Sequence, residues 1–146
     1  MSQEKPINVL LVEDDDVDVM NVKRALRQNG RTRDVWVARD GMEALARLRS
    51  GDVPTQRLLV LLDLNMPRMN GIELLQELRR DESLSWLPVV VLTTSDEERD
   101  KVDAYGLNVA GYLVKPVTHE AFVELVSRFT LYWSSVEMPD HGRRCP

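Results

Sequence analysis

Short polar groups scattered along this chain have the composition needed to handle a phosphoryl group. Glu13-Asp14-Asp15-Asp16 follows the apolar run Ile7–Val12, and Asp63 follows Leu58–Leu62. Thr93-Thr94-Ser95 follows Val89–Leu92, and Lys115-Pro116 follows Tyr112–Val114. If the carboxylates of Glu13, Asp14 and Asp63 gather within about 4 Å, each pair repels by roughly 4 kcal/mol at an effective dielectric near 20. Such a group must take up protons or a cation. An oxygen-only donor set suits Mg²⁺, which keeps some of its water and leaves a position open. Lys115 brings a second positive charge, and Thr93 brings a hydroxyl donor. Metal, ammonium and hydroxyl are the groups that stabilise the oxygens of a transferring phosphoryl group. Asp63, central among them, reads as the nucleophile, since carboxylates form acyl phosphates.

This chemistry requires residues from both halves of the chain to meet, and the hydropathy pattern supplies a way. The apolar runs Ile7–Val12, Val35–Ala38, Leu58–Leu62, Val89–Leu92 and Tyr112–Val114 are too short for buried helices. Several are nearly continuous in Val, Ile and Leu, as in strands covered on both faces of a parallel sheet. The segments between them have helical period. Val19, Val22 and Leu26 share one face of a first helix that stops at Asn29-Gly30. Asp40 caps a second helix carrying Ala44, Leu45 and Leu48 and ending near Gly51. Asn70 caps a third, with Ile72, Leu75 and Leu78 inward. Residues 97–107 form a charged fourth helix anchored by Val102, Ala104 and Tyr105. Thr118 caps the last, whose stripe is Ala121, Phe122, Leu125, Val126 and Phe129.

Alternating strands and helices predict an α/β fold, a flavodoxin-like doubly wound parallel sheet of five strands in order 2-1-3-4-5 with five helices. All strands of such a sheet end at one edge, and ligands bind there, where the winding reverses. That point lies between strands 1 and 3, the strands that deliver Glu13, Asp14 and Asp63. Taken singly, acids after a strand are ordinary helix caps and Lys-Pro is an ordinary loop. Their conjunction on one edge favours a site.

The 146 residues fit one domain, expected over residues 7–131, with a tail over 132–146 that is flexible from 134 onward. At 43% apolar and 29% charged residues, the chain can build a core of ordinary size. Nineteen basic against 24 acidic residues leave a net charge of -5, which argues against a general nucleic-acid or anionic-membrane binder. No apolar run approaches the ~18 residues of a membrane helix. The N-terminus lacks a signal-peptide layout. The single cysteine, Cys145, has no partner for a disulfide, and no Cys/His cluster suggests zinc. The expected setting is soluble and cytoplasmic. His119 reads as a solvated first-turn residue, His141 and Cys145 as tail residues, and Trp36 and Trp86 as packing residues.

The segments Val9-Leu10-Leu11-Val12-Glu13-Asp14, Leu62-Asp63-Leu64-Asn65-Met66-Pro67 with Gly71, Leu92-Thr93, and Gly111-Tyr112-Leu113-Val114-Lys115-Pro116 occur in the order and spacing of a known family. Over residues 7–131 the chain resembles response-regulator receiver domains, the phosphoacceptor modules of two-component signalling. The resemblance implies that a histidine kinase phosphorylates Asp63 and that Glu13, Asp14, Asp63 and the Asn65 carbonyl hold Mg²⁺. It implies that Lys115 and Thr93 stabilise the phosphoryl group, that Thr93 and Tyr112 act as the switch, and that Asn65 and Ser95 tune the phosphoryl lifetime. It also implies a cis Lys115–Pro116 bond. The run Thr93-Thr94-Ser95 leaves a one-residue ambiguity in register, and Thr93 is taken because it directly follows the strand. Glu13 stands where many members have Asp, Asn70 replaces a frequent Asp, and Val117 stands where Phe is common.

The expected output is a change in the face formed by the fourth helix, fifth strand and last helix, read by another protein, because no output domain follows. Thr94-Ser95, Tyr105, Asn108 and the aromatic ending Leu131-Tyr132-Trp133 resemble the single-domain regulators that partner bacterial phytochromes. That subfamily implies a phytochrome kinase, a downstream target or phosphorelay member, and a homodimer, with no nucleic acid or membrane. The competing readings are a Mg²⁺-dependent phosphohydrolase using an aspartyl-phosphate intermediate and a pseudo-receiver that is never phosphorylated. The first would need a dedicated acid/base and a substrate-sized pocket, for which the sequence offers no Ser/His pair and no long lid near Asp63. The intact acids, Thr93 and Lys115 speak against the second.

Overall fold

A computed structural model describes residues 5–28, 30–64, 71–93 and 106–138, with Thr93 described in its backbone alone. In chain order the elements are β1 (Ile7–Val12), α1 (Asp16–Gln28), β2 (Thr32–Ala38), α2 (Gly41–Ser50), β3 (Leu58–Leu62), α3 (Gly71–Arg80), β4 (Val89–Thr93), β5 (Gly111–Val114) and α4 (His119–Ser135). The strands form one sheet in order β2-β1-β3-β4-β5, and every neighbouring pair is parallel. This is the flavodoxin-like doubly wound arrangement expected from the alternation. The described residues contain four helices; the charged helix expected over 97–107 falls almost wholly outside them.

β1 and β3 are buried along their whole length, because both sheet faces are covered. On one face Leu10, Val12, Val60 and Leu62 pack with Ala44, Leu45 and Leu48 of α2 and Leu74, Leu75 and Leu78 of α3. On the other, Val9, Leu11, Leu59 and Leu61 meet Val19, Val22 and Leu26 of α1 and Phe122, Val126 and Phe129 of α4. Strict alternation of side chains thus divides a continuous apolar strand between two cores. Trp36 and Trp86 are half-buried against the first of these cores.

Local signals fix several helix ends. Asp40 accepts from the Glu43 N–H, Thr118 accepts from the Ala121 N–H, and Gly51 closes α2 with φ +81°. Gly30, with φ +70°, stands two residues after the end of α1 at Gln28, while Asn29 and the predicted cap Asn70 lie outside the described residues.

The structure departs from expectation in three places. β2 begins at Thr32 rather than Val35, and its early positions Arg33 and Asp34 are exposed, so hydropathy did not reveal them. The segment expected as a tail from 132 is instead structured through 138: α4 runs to Ser135, and Ser134 and Met138 are buried. Its fastening comes from distant residues. The Lys5 N–H donates to the Ser134 carbonyl at 2.9 Å, and the Arg57 guanidinium donates to the carbonyls of Lys5, Pro6, Trp133 and Val136. Finally, the described residues contain no cis peptide bond, so Lys115–Pro116 is trans.

Candidate functional site

The carboxyl ends of β1, β3 and β5 deliver the acids and the lysine to one edge of the sheet. Backbone pairing extends just past the strand ends and fixes the start of each loop. The Glu13 N–H donates to the Ala38 carbonyl at 2.9 Å, and the Asp63 N–H donates to the Val12 carbonyl at 3.0 Å. Asp15 is the residue that caps α1, accepting from the Asp18 N–H at 3.0 Å. The simple capping role of this acidic run therefore belongs to Asp15, which leaves Glu13 and Asp14 for the site.

Carboxylate oxygens of Glu13, Asp14 and Asp63 all lie within 4.8 Å of one another. Glu13 is buried, Asp63 half-buried and Asp14 exposed, so the group opens to solvent on one side. Three hard oxygen donors around a partly open position fit a divalent cation that retains water. Burial pushes the Glu13 carboxyl up to about 7, and the neighbouring Asp63 charge adds to the rise, while the hydrogen bond from Lys115 works against it. A divalent cation among the three acids would favour the charged form again.

Lys115 reaches this group from the end of β5. Its Nζ donates to Glu13 Oε1 at 2.8 Å and to Asp18 Oδ2 at 2.9 Å, and its side chain is only 9% exposed. Burial disfavours the ammonium, but hydrogen bonds to Glu13 and Asp18, joined by the Glu13 and Asp63 charges, hold its pKa above the usual lysine value. Asp18 was not among the sequence candidates. Its only sequence signal is an acid in the first turn of a helix that starts at the site edge, which is also a common dipole-complementing feature.

α3 holds the Asp63 loop from behind. The Gly71 N–H donates to the Leu64 carbonyl at 2.9 Å, and a Cβ on Gly71 would lie 2.4 Å from Leu64 Cα and 2.7 Å from the Asp63 carbonyl oxygen. Only glycine permits that approach, which explains its place four residues after Pro67. The Thr93 backbone pairs with Val114 at the end of β4, next to Lys115. Tyr112 is half-buried against the core built on α2 and α3. Asn65, Ser95 and the Thr93 side chain lie outside what the structure describes.

Comparison with known proteins agrees with this geometry. Residues 9–127 match the response regulator receiver domain, and the chain belongs to that family. It is a receiver of phosphorylation-dependent two-component signalling. It is 35% identical over 138 residues to the response regulator Rcp1 of Synechocystis sp., covering 92% of this chain and 94% of that one. It is 38% identical over 135 residues to a probable methanogenesis regulatory protein, FilR2, of Methanothrix harundinacea, covering 91% and 87%. Among solved structures, it superposes on the phosphorylated cyanobacterial phytochrome response regulator RcpA with a TM-score of 0.84 at 34% identity, covering 92% of this chain and 99% of that one. The Mn²⁺-bound form of Rcp1 gives 0.81 at 34% identity, covering 92% and 100%. No helix among the described residues is long and apolar enough to cross a membrane.

Proposed function

We propose that Asp63 is the phosphoacceptor of this receiver and that a sensor histidine kinase of the phytochrome type is its donor. The reading is carried by one observation: carboxylate oxygens of Glu13, Asp14 and Asp63 within 4.8 Å, with the Lys115 ammonium bonded to the cluster. A carboxylate oxygen of Asp63 attacks phosphorus, the P–N bond to the donor imidazole breaks, and the imidazole keeps that electron pair. The Lys115 ammonium and the Thr93 hydroxyl then donate to the phosphoryl oxygens. Glu13, Asp14, Asp63 and the Asn65 carbonyl would hold Mg²⁺, which when bound offsets the charge that three acids and a phosphoryl group bring together. Asn65 and Ser95, two positions beyond Asp63 and Thr93, set how readily water reaches the acyl phosphate.

Phosphorylation adds about 1.5 to 2 negative charges and new acceptor oxygens. Repacking of Thr93 and Tyr112 carries the change to β5 and α4, whose exposed Leu131 and Tyr132 offer a surface to a downstream protein, a phosphorelay member or a second copy of the chain. The setting is the cytoplasm, where the kinase and its phosphodonor meet. The relatives named for phytochromes support this choice of partner.

Incubation with Mg²⁺ and acetyl phosphate, followed by intact mass measurement, tests the reading. A gain of one phosphoryl group is expected in the wild type and none in Asp63→Asn. An equal gain in Asp63→Asn would overturn it.

A further inference from the structure

We infer that Asp18 is a resting-state latch for Lys115, a positioning residue that competes with the phosphoryl group for the same ammonium. The inference rests on the assignment of Asp63 as phosphoacceptor and goes beyond it. Lys115 has three N–H donors. In this structure Glu13 Oε1 at 2.8 Å and Asp18 Oδ2 at 2.9 Å accept from it. Bonding of the ammonium to more than one phosphoryl oxygen therefore requires release of an existing bond.

The two carboxylates differ in how readily they can let go. The Glu13 side chain is 2% exposed and that of Asp18 is 37% exposed. Little water can take the place of the ammonium at the enclosed Glu13 carboxyl, whereas water can replace Lys115 at Asp18. Asp18 also sits in the first turn of α1, where the helix dipole favours its charge without a cation. Its surroundings point the same way. With Asn21, Lys115, Thr118, His119 and Phe122, Asp18 lines a cleft of about 230 Å³ between α1 and the start of α4. Glu13, Asp14 and Asp63 do not border that cleft. Asp18 thus holds the ammonium from the α1 side, away from the acidic cluster, and its bond is the one that yields when a phosphoryl group arrives.

The latch predicts that weakening Asp18 favours the phosphorylated state. Beryllofluoride with Mg²⁺, an acyl-phosphate mimic, is titrated into the protein and followed by amide NMR signals, which also report that each variant is folded. Asp18→Asn removes the charge but keeps the shape. It is expected to bind beryllofluoride more tightly by roughly ten-fold, the equivalent of about 1.4 kcal/mol. Asp18→Ser should behave likewise, and Asp18→Glu should return the affinity toward that of the wild type. Asp16→Asn is the control for general charge removal, because Asp16 lies in the same helical turn and pairs with Arg39 instead. It should leave the affinity unchanged. Unaltered or weaker binding in both Asp18→Asn and Asp18→Ser, or equal tightening in Asp16→Asn, would overturn the latch. Failure of the wild type itself to bind would instead bring down the phosphoacceptor assignment.

Discussion

At the scale of single residues, the site is a balance of charges around one buried carboxyl. Glu13 is pushed up to about 7, chiefly by burial, so between about pH 4.5 and 7 the folded chain holds a proton that the unfolded chain has released. Stability from this group is therefore greatest at low pH and is lost as pH rises through that interval. In thermal melts without divalent ions, the wild type should lose stability relative to Glu13→Gln between about pH 4 and 7.5, values that bracket the window. Saturating Mg²⁺ should flatten the difference, because a cation favours the charged carboxylate. A wild type that gains on Glu13→Gln as pH rises without Mg²⁺ would contradict this account. Glu13, Asp14, Asp63 and Lys115 were legible because each lies one or two positions after an apolar run, so strand direction alone sends them to one edge. Asp18 was not, since a first-turn acid has a sufficient local role and its partner lies 97 positions away.

At the scale of elements, strands with buried side chains and helices with local caps were readable, whereas features held by distant hydrogen bonds were not. The periodic stripe of α4 ends near Phe129, yet the helix continues because Arg57 and Lys5 bind the carbonyls of its last turn and of Val136. A second arginine does similar work at the opposite edge of the sheet from the site. Arg79, on the last turn of α3, donates to the carbonyls of Ser85, Leu87, Leu107 and Asn108, and so ties the turn before β4 to the approach to β5. Burial lowers its pKa, but these carbonyls use its donors. Arg79→Met removes these bonds at once, and unsatisfied groups at such a site cost about 1–3 kcal/mol each. A loss of about 2 kcal/mol in denaturant unfolding is expected, given partial access of water to these carbonyls. Hydrogen exchange should quicken first at Ala110, whose N–H donates to the Val89 carbonyl at 2.7 Å. Unchanged stability and exchange in Arg79→Met would contradict the clamp.

At the scale of the whole molecule, topology brings the ends of β1, β3 and β5 together into one site. A parallel sheet in order β2-β1-β3-β4-β5 places the reversal of winding between β1 and β3, where Glu13, Asp14 and Asp63 emerge. Both cores of the sheet close immediately behind this edge, so the acids stand on a rigid base. The fold class was legible because alternating short apolar runs and helical stripes admit few other arrangements. The central claim is that this edge makes Asp63 the phosphoryl anchor. The most direct test treats the protein with acetyl phosphate and Mg²⁺, reduces it with borohydride, and maps the peptides by mass. Acyl phosphates are converted to alcohols by this reduction, so the account predicts homoserine at position 63 and at no other acid. Homoserine at Asp14 or Asp18, or 5-hydroxynorvaline at Glu13, with Asp63 intact, would contradict it.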